Sequence, residues 1–415
     1  MNNKSRYRFV IFANVILVRS CVGLIWASAG PLLPLIIQEF ELSRSTASWF
    51  ASIAPLTIAV ISLPVNIVVG RFGLKKMFAV GAFFQAMGIL SFFADSFIAI
   101  LLLRMCFAVG NCIIIPVATA ITAEWFSSRE LPILNGIGMS FVNLGNGVAF
   151  AITVPLATWL SWNAPVYIYG AVALVWAICW CIIGKEKKKE PELVSPDPSV
   201  FVDRRPDLGL KKILTNKTAL LLTLSVTVSW AMGNAIGSWL PDYYFSVFGI
   251  PLSQASSIMT FSTVGGTISC ITGGILSTRI GKRRPFIIIS GLFTGLSALF
   301  AVLFNIPALI YVAVTLFGVF GAIHVSSLFT IPMEIPEMSM RSGMIVIAMM
   351  QVGGNLGNFI SPLVTGAIVD ATGSYLTAFI TFIVLSLGLL AAGILMPETG
   401  PAGSKPDTPS VTASI

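Results

Sequence analysis

Twelve apolar runs, each about long enough to cross a bilayer, dominate this sequence and restrict what the chain can fold into. A bilayer has a hydrocarbon core of about 30 Å, and an α-helix needs about 20 apolar residues to cross it. Of the 415 residues, 56% are hydrophobic and only 10% are charged, too few charges to cover the surface of a water-soluble domain. We therefore predict an all-α membrane protein with twelve transmembrane helices. The predicted spans are 9–30, 46–69, 77–94, 97–122, 133–158, 164–183, 217–240, 254–278, 285–304, 307–331, 343–369 and 374–396.

The positions of the basic residues predict the orientation of these spans. With twelve crossings, all of the 25 Lys and Arg except Arg19, Arg44 and Arg104 fall on the side that holds the N-terminus. Short loops rich in Lys and Arg stay in the cytoplasm, so we expect both termini there, in a multi-pass protein of the inner cell membrane. The net charge of +8 is explained by this asymmetry. We expect the lipid bilayer and a small molecule as partners, and no nucleic acid.

A charged, proline-containing stretch divides the spans into two sets of six. The predicted domains are an N-terminal six-helix bundle (1–184), a cytoplasmic linker (185–216), a C-terminal six-helix bundle (217–397) and a disordered cytoplasmic tail (398–415). The two sets look like repeats, because GRFGLKK at 70–76 returns as TRIGKRR at 278–284, each after the second span of its set. Two six-helix repeats with a site between them are a recurring plan for secondary transporters.

The repeated basic loop resembles a motif of the major facilitator superfamily. In that family the loop reads roughly Gly-x-x-x-Asp-Arg-x-Gly-x-Arg/Lys-Arg/Lys. This sequence keeps the Arg as Arg71, the following Gly as Gly73 and the two final cations, whereas Gly70 replaces the Asp. The resemblance covers nearly the whole chain. It implies the twelve-helix major facilitator fold and transport by alternating access, with spans one, four, seven and ten lining a central cavity.

Four residues at the predicted cytoplasmic helix ends are candidate gating residues: Arg71, Glu124, Arg279 and Glu334. In the family, the loop after the second span helps to latch the cytoplasmic side, and Arg71 and Arg279 keep its cation. The alternative for this loop is a tight turn whose cations anchor it to the headgroups. Acidic residues are better tolerated at helix ends than in mid-membrane, so the two glutamates either gate or cap their helices.

Arg19 is a charged residue inside the first apolar run. It lies about ten residues, or ~15 Å, into the predicted span, close to the bilayer midplane. A charge there costs about 2.5–3.5 kcal/mol on insertion scales, so it usually faces a cavity or a partner. Gly23, Trp26 and Gly30 share its helical face, and we expect the glycines to leave space beside the guanidinium. We predict that Arg19 binds an anionic substrate walled by Trp26; the alternative is an Arg satisfied by backbone carbonyls.

Five further polar residues inside spans are site candidates: Arg104, Asn111, Asn234, Asn355 and His324. Arg104 and Asn111 share one face of span four, and the others lie on spans seven, eleven and ten. We predict substrate contacts for the first four and a role in proton coupling for His324, since histidine titrates near neutral pH. Each has a structural alternative, in which the side chain hydrogen-bonds a neighbouring helix.

These residues predict a secondary transporter of a small organic anion that uses alternating access, with proton symport or exchange as its driving mode. GPLLP at 30–34 is similar to the end of span one in cyanate-permease-like transporters, and the Gly-Asn pattern of spans five and eleven resembles nitrate and nitrite porters. Those porters hold nitrate with Arg on spans two and eight, which this chain lacks. An exporter of lipophilic drugs or metabolites and a transporter-like sensor remain as alternatives.

The sequence has no nucleotide-binding loop, metal-ligand cluster or catalytic nucleophile pattern. We therefore predict that the protein is not an enzyme and holds no cofactor or metal. The six Cys all lie in spans and are interpreted as packing residues. We expect a monomer.

Overall fold

The computed structural model describes residues 3–69, 72–127, 130–185, 209–335 and 338–400. These residues form α-helices and one 3₁₀ helix (Met87–Phe93), with no strand in the described ranges. The helices are α1 (Asn3–Ala27), α2 (Ala29–Phe40), α3 (Arg44–Ala47), α4 (Trp49–Val69), α5 (Leu74–Ala86), α6 (Phe97–Trp125), α7 (Leu131–Trp159), α8 (Ala164–Ile183), α9 (Leu210–Leu214), α10 (Lys217–Phe248), α11 (Leu252–Ile280), α12 (Arg284–Leu303), α13 (Pro307–Ala322), α14 (Val325–Glu334), α15 (Met340–Thr372) and α16 (Tyr375–Leu395). Twelve stretches are long and apolar enough to cross a membrane, as predicted.

Two parts of the chain are treated separately below. The N-half is the described part of residues 3–185, and the C-half is the described part of residues 209–400. Most of the predicted linker and nearly all of the predicted tail lie outside the described residues, and so does the candidate gating residue Arg71.

The ends of three spans differ from the prediction. The first helix continues beyond residue 30, because α2 follows α1 directly after a break at Ser28 and reaches Phe40. The seventh span ends at Phe248 and not at residue 240, so Asp242 lies inside α10. Its C-cap, Gly249, has a φ of 66°, the left-handed conformation that commonly closes a helix. The tenth span, predicted to be continuous, is broken between α13 and α14 at His324.

Buried side chains show how the two halves meet. We call the side of the membrane at which the chain begins the basic side, and the opposite side the far side. Toward the basic side each half has its own buried cluster, which contains Trp180 in the N-half and Leu222 in the C-half. Toward the far side a single cluster contains residues of both halves, such as Phe50 and Trp239. The halves are therefore packed together at the far side and built around separate cores at the basic side.

Glycines let neighbouring helices touch through their backbones. A Cβ atom on Gly23 would lie 1.9 Å from the carbonyl oxygen of Val142 in α7. A Cβ atom on Gly30 would lie 2.4 Å from the carbonyl oxygen of Gly237 in α10. Small residues at such crossings are typical of helix packing in membranes. The prediction that these two glycines leave space beside Arg19 is wrong, because the backbones of neighbouring helices occupy it.

Candidate functional site

Arg19 is a buried cation to which no described residue supplies a counter-charge. Its residue is 4% exposed, and it lies within the membrane-spanning part of α1. One guanidinium nitrogen, Nη2, lies 3.4 Å from the sulfur of Met139 in α7, and Nε is buried without a hydrogen-bond partner. A thioether sulfur is only a weak acceptor. Among the described residues, the guanidinium therefore has no oxygen or carboxylate that balances its charge.

Helix α7 shapes the space around this guanidinium. A Cβ atom on Gly138 would lie 2.7 Å from Nη1 of Arg19, so the absence of a side chain there lets the guanidinium lie against the α7 backbone. The next residue, Met139, is 55% exposed while its sulfur contacts Arg19. Met139 thus lies between the buried guanidinium and open space. Its flexible, unbranched side chain is suited to move aside for a ligand.

Arg104, the other basic residue in the interior of an N-half span, is engaged by backbone carbonyls and aromatic rings. Its Nη1 donates to the carbonyl of Ile25 in α1 at 2.6 Å, and its Nε donates to the carbonyl of Phe50 in α4 at 3.2 Å. The guanidinium carbon also lies 4.6 Å from the centre of the Phe50 ring, a cation–π distance. This geometry is the structural alternative, and we leave Arg104 out of the proposed ligand contacts.

We expect Arg104→Gln to lower stability without lowering the affinity for substrate. The substitution removes hydrogen bonds that connect α6 to α1 and α4, and bonds to a charged donor contribute about 1.5–3 kcal/mol each. The unfolding temperature of the purified protein should fall, while ligand affinity of the folded fraction changes by less than about threefold, or ~0.6 kcal/mol. A large loss of affinity at unchanged unfolding temperature would instead give Arg104 a place in the site.

Other orphaned amide groups lie in the same half as Arg19. Asn111, which is 5% exposed, has a buried Oδ1 without a hydrogen-bond partner. Asn14, which the sequence analysis missed, has both amide atoms buried and unpartnered, and Asn146 has an unpartnered Oδ1. In the described part of the chain, all buried guanidinium and amide atoms without a partner belong to the N-half, and the C-half contributes only serine hydroxyls. Buried polar atoms almost always have partners, so these orphaned atoms distinguish the N-half from the C-half within the described residues.

The remaining predicted contacts are engaged elsewhere. Asn234 donates through Nδ2 to the carbonyl of Asn358 at 2.6 Å, which connects α10 to α15. Asn355 donates to the carbonyl of Gln351, one turn earlier in its own helix, at 2.8 Å. Trp26 packs against the N-half core, with its ring centre 6.5 Å from that of Phe107. The structure thus brings none of these three side chains to Arg19 through a hydrogen bond or ring contact.

His324 lies at the break in the tenth span, where it bridges two helices. The Oγ of Ser290 in α12 lies 2.6 Å from the carbonyl oxygen of Phe320. A carbonyl oxygen can only accept a hydrogen bond, so the Ser290 hydroxyl donates its hydrogen to this oxygen. The same Oγ, 2.8 Å from Nδ1 of His324, must then accept a hydrogen bond from the ring. The ring therefore carries a hydrogen on Nδ1, and its Nε2 lies toward Ser229 of α10 at 3.5 Å. His324 is a contact between the break in the tenth span and two neighbouring helices.

The predicted gating residues within the described ranges, Glu124, Arg279 and Glu334, lie at helix ends on the basic side. Glu334, at the end of α14, accepts from Nη2 of Arg283 at 2.7 Å, and both belong to the C-half. Hydrogen bonding to Glu334 raises the pKa of Arg283 above its ordinary value. Arg279 is exposed at the end of α11, and Glu124 is half-buried next to the last residue of α6. Glu334 therefore braces the loop between α11 and α12 against α14.

A scan against protein families matches residues 15–345 to the model described as Major Facilitator Superfamily. The chain belongs to the Major Facilitator Superfamily. This membership confirms the predicted fold class and the expectation that the protein is a transporter and not an enzyme. With its twelve candidate spans, this superfamily member is a multi-pass integral membrane protein.

Curated relatives of this superfamily member are named as transporters of organic anions. A probable sulfoacetate transporter of Cupriavidus necator is 23% identical over 385 residues, covering 88% of this chain and 88% of the relative. A hexuronate transporter of Bacillus subtilis is 22% identical over 401 residues, covering 91% of this chain and 92% of the relative. A probable galactarate/D-glucarate transporter of the same species is 25% identical over 353 residues, covering 75% of each chain.

Solved structures share the fold of this superfamily member. A bacterial homologue of the human lysosomal transporter Spinster, in an inward-facing and occupied conformation, superimposes with a TM-score of 0.76 at 17% identity, covering 94% of this chain and 96% of its own. A point mutant of the nucleoside transporter NupG superimposes with a TM-score of 0.74 at 15% identity, covering 92% of this chain and 99% of its own. At these identities the likeness establishes the fold.

The sequence analysis missed a polar cluster that joins the halves of this transporter at the far side. Arg44 of α3 donates through Nε to the hydroxyl of Tyr375 at 2.7 Å, and that hydroxyl donates to the carboxylate of Asp242. The backbone nitrogens of Arg44 and Ser45 donate to Asp370 at 3.1 and 2.8 Å. One signal was present in the sequence: Arg44 is the only basic residue assigned to a far-side loop.

Proposed function

We propose that this protein is a secondary transporter that moves a small organic anion by alternating access, with Arg19 as the residue that binds the negative charge. The observation that carries this proposal is the buried guanidinium of Arg19, which has a thioether and a glycine beside it and no anionic partner among the described residues. A charge inside the membrane is expensive unless it is paired or faces water. An anionic ligand supplies the missing pair when it binds.

The chemistry of the surrounding groups supports an anion that also carries polar oxygens or hydroxyls. A guanidinium binds a carboxylate or sulfonate through two parallel hydrogen bonds, which fixes the orientation of the ligand. The orphaned amides of Asn14, Asn111 and Asn146 lie in the same half and offer further donors and acceptors. The relatives are named for sulfoacetate, hexuronate and galactarate/D-glucarate, all small organic anions with several oxygens. We assign this substrate class to the present chain.

The packing of the halves supports a conformation that is closed at the far side. Hydrogen bonds from Arg44, Ser45 and Ser48 cross from the N-half to the C-half there. Toward the basic side the two halves are built around separate cores. By the positive-inside rule we place the basic side and both termini in the cytoplasm of the inner membrane. The transporter is then in an inward-facing state, from which Arg19 is reached past Met139.

A thermal-shift screen of the purified protein tests the proposed substrate class. We expect small carboxylates, hydroxy-acid anions and sulfonates to stabilise the protein, by about 2.7 kcal/mol when the ligand is present at 100 times its dissociation constant. The neutral methyl ester of each active acid is the matched control and should not stabilise. Stabilisation by lipophilic cations, with no response to any anion, would contradict the proposal and favour an exporter of lipophilic compounds.

A further inference from the structure

One edge of the Arg19 guanidinium lacks an oxygen acceptor. Nε is buried without a hydrogen-bond partner, and Nη2 lies 3.4 Å from the sulfur of Met139. The N–H bond of Nε and one N–H bond of Nη2 point in the same direction, and together they form the side edge of the guanidinium. A carboxylate or sulfonate binds such an edge through two oxygens. Among the described residues, the thioether of Met139 is the one acceptor on this edge.

Gly138 of α7 lies against the other end of the guanidinium. A Cβ atom on Gly138 would lie 2.7 Å from Nη1 and 3.2 Å from Cζ, so the α7 backbone is close to this end. A ligand on Nη1 and Nη2 would leave Nε buried and unpaired, and an unpaired buried donor is costly. A ligand on the side edge pairs Nε and Nη2 together. The side edge is therefore the favoured place for an anion.

Met139 approaches this edge from the space between the two halves. Helix α7 packs on α1 through Gly145, and on α11 of the C-half through Gly147, whose carbonyl accepts from Thr260 at 3.1 Å. At about 100° per residue, these two contacts lie on opposite sides of α7 and leave two strips between them. Met139 lies on the strip that faces the space between the halves. The other strip is apolar and exposed, as expected of a lipid-facing surface: Ile133, Ile137, Leu144 and Val148.

We propose that Met139 is a displaceable cover on the side edge of Arg19, and that the transported anion replaces its thioether there with two oxygens. This rests on the proposed function, in which Arg19 binds the negative charge. A thioether is a weak acceptor, whereas a carboxylate or sulfonate forms two charge-assisted hydrogen bonds with this edge. The unbranched Met139 side chain has three rotatable bonds, so it swings into the space between the halves when the anion arrives.

Met139 therefore lowers the affinity of the site for its anion. In the empty site the sulfur gives Nη2 an acceptor, which lowers the free energy of the unliganded protein. This contact is lost when the anion binds, so its contribution is subtracted from the binding free energy. A side chain at position 139 that does not reach the guanidinium removes the competition and leaves the anion contacts in place.

Isothermal calorimetry on the full chain tests this role, with sulfoacetate and D-glucarate as the probes. Met139→Ala should bind the better of the two probes about two- to tenfold more tightly than the parent protein, the range for the net contribution of one hydrogen bond. In an Arg19→Gln background, Met139→Ala should change the affinity by less than about twofold, because there is no guanidinium edge to uncover. A Met139 that only supports the fold would not show this dependence on Arg19.

Met344→Ala is the matched control, because Met344 is 54% exposed, close to the 55% of Met139, and lies in α15 of the C-half. It should bind the probe like the parent protein. Unchanged or weaker binding in Met139→Ala, while Arg19→Gln still loses affinity, would overturn the role of Met139 and leave the proposed function intact. Equal affinity of Arg19→Gln and the parent protein, or binding of neither probe, would count against the proposed function and this inference together.

Discussion

Substitution of Arg19 by Gln is expected to weaken binding of the transported anion by about 10- to 150-fold. This range corresponds to the loss of one hydrogen bond that involves a charged group, which contributes about 1.5–3 kcal/mol. Gln keeps a polar side chain of similar length but has no charge to balance the ligand. Arg19→Lys keeps the charge and loses the planar fork, so we expect a smaller loss. The anion that stabilises the protein best in the thermal-shift screen is the ligand to titrate by isothermal calorimetry.

The matched control for this series is Arg6→Gln. Arg6 is an exposed arginine near the start of α1, so its removal changes the net charge of the protein by the same amount without touching the proposed site. We expect its affinity for the anion to equal that of the parent protein. Equal losses in the two variants would show that the effect of Arg19 comes from overall charge and not from a contact.

A disulfide between Ser48→Cys and Gly366→Cys is expected to abolish transport while leaving ligand binding intact. A Cβ atom on Gly366 would lie 2.5 Å from Oγ of Ser48, so the two cysteines are within disulfide reach across the halves at the far side. Oxidation then holds the far side closed, and alternating access stops because the halves cannot rock apart there. Uptake by proteoliposomes should fall to background after oxidation and recover after reduction.

A second disulfide inside one half is the control for this experiment. A Cβ atom on Gly295 would lie 3.2 Å from Oγ of Ser386, and both residues belong to the C-half. In the same background, with the six native cysteines replaced by alanine, oxidation of Gly295→Cys/Ser386→Cys should leave transport unchanged. Full transport by the protein with the oxidised Ser48→Cys/Gly366→Cys disulfide would mean that the far side does not need to open.

The sequence predicted the number of spans because twelve apolar runs of lipid length leave few other folds. It did not predict where every helix ends, because polar residues near the membrane surface are compatible with both a helix and a loop. Asp242 lies inside α10 since Tyr375 and Arg44, which are distant in the sequence, satisfy its carboxylate. The break at His324 was missed for a similar reason: Ser290 of another helix holds the ring there.

The two basic residues inside the N-half spans gave the same signal in the sequence and have different surroundings in the structure. Both are charges in apolar runs, which indicates a cavity or a partner. Arg104 finds its partners in the carbonyls of Ile25 and Phe50, whose approach depends on how three helices pack. Within the described ranges, the guanidinium of Arg19 lies against Met139 and Gly138 and has no carbonyl or carboxylate partner. The rotation of each helix about its own axis decides which groups of the neighbouring helices face the guanidinium. This rotation depends on how the helices pack, and a single sequence does not specify it.

Counterflow in proteoliposomes tests the central claim, anion transport through Arg19, most directly. Vesicles that contain the parent protein are loaded with an excess of the unlabelled anion found in the screen, and the labelled anion is added outside. We predict a transient accumulation of label in the parent protein and in Arg6→Gln, and at least about a tenfold lower initial rate in Arg19→Gln at subsaturating anion. Equal accumulation in Arg19→Gln and the parent protein would contradict the assignment of Arg19 as the anion-binding residue.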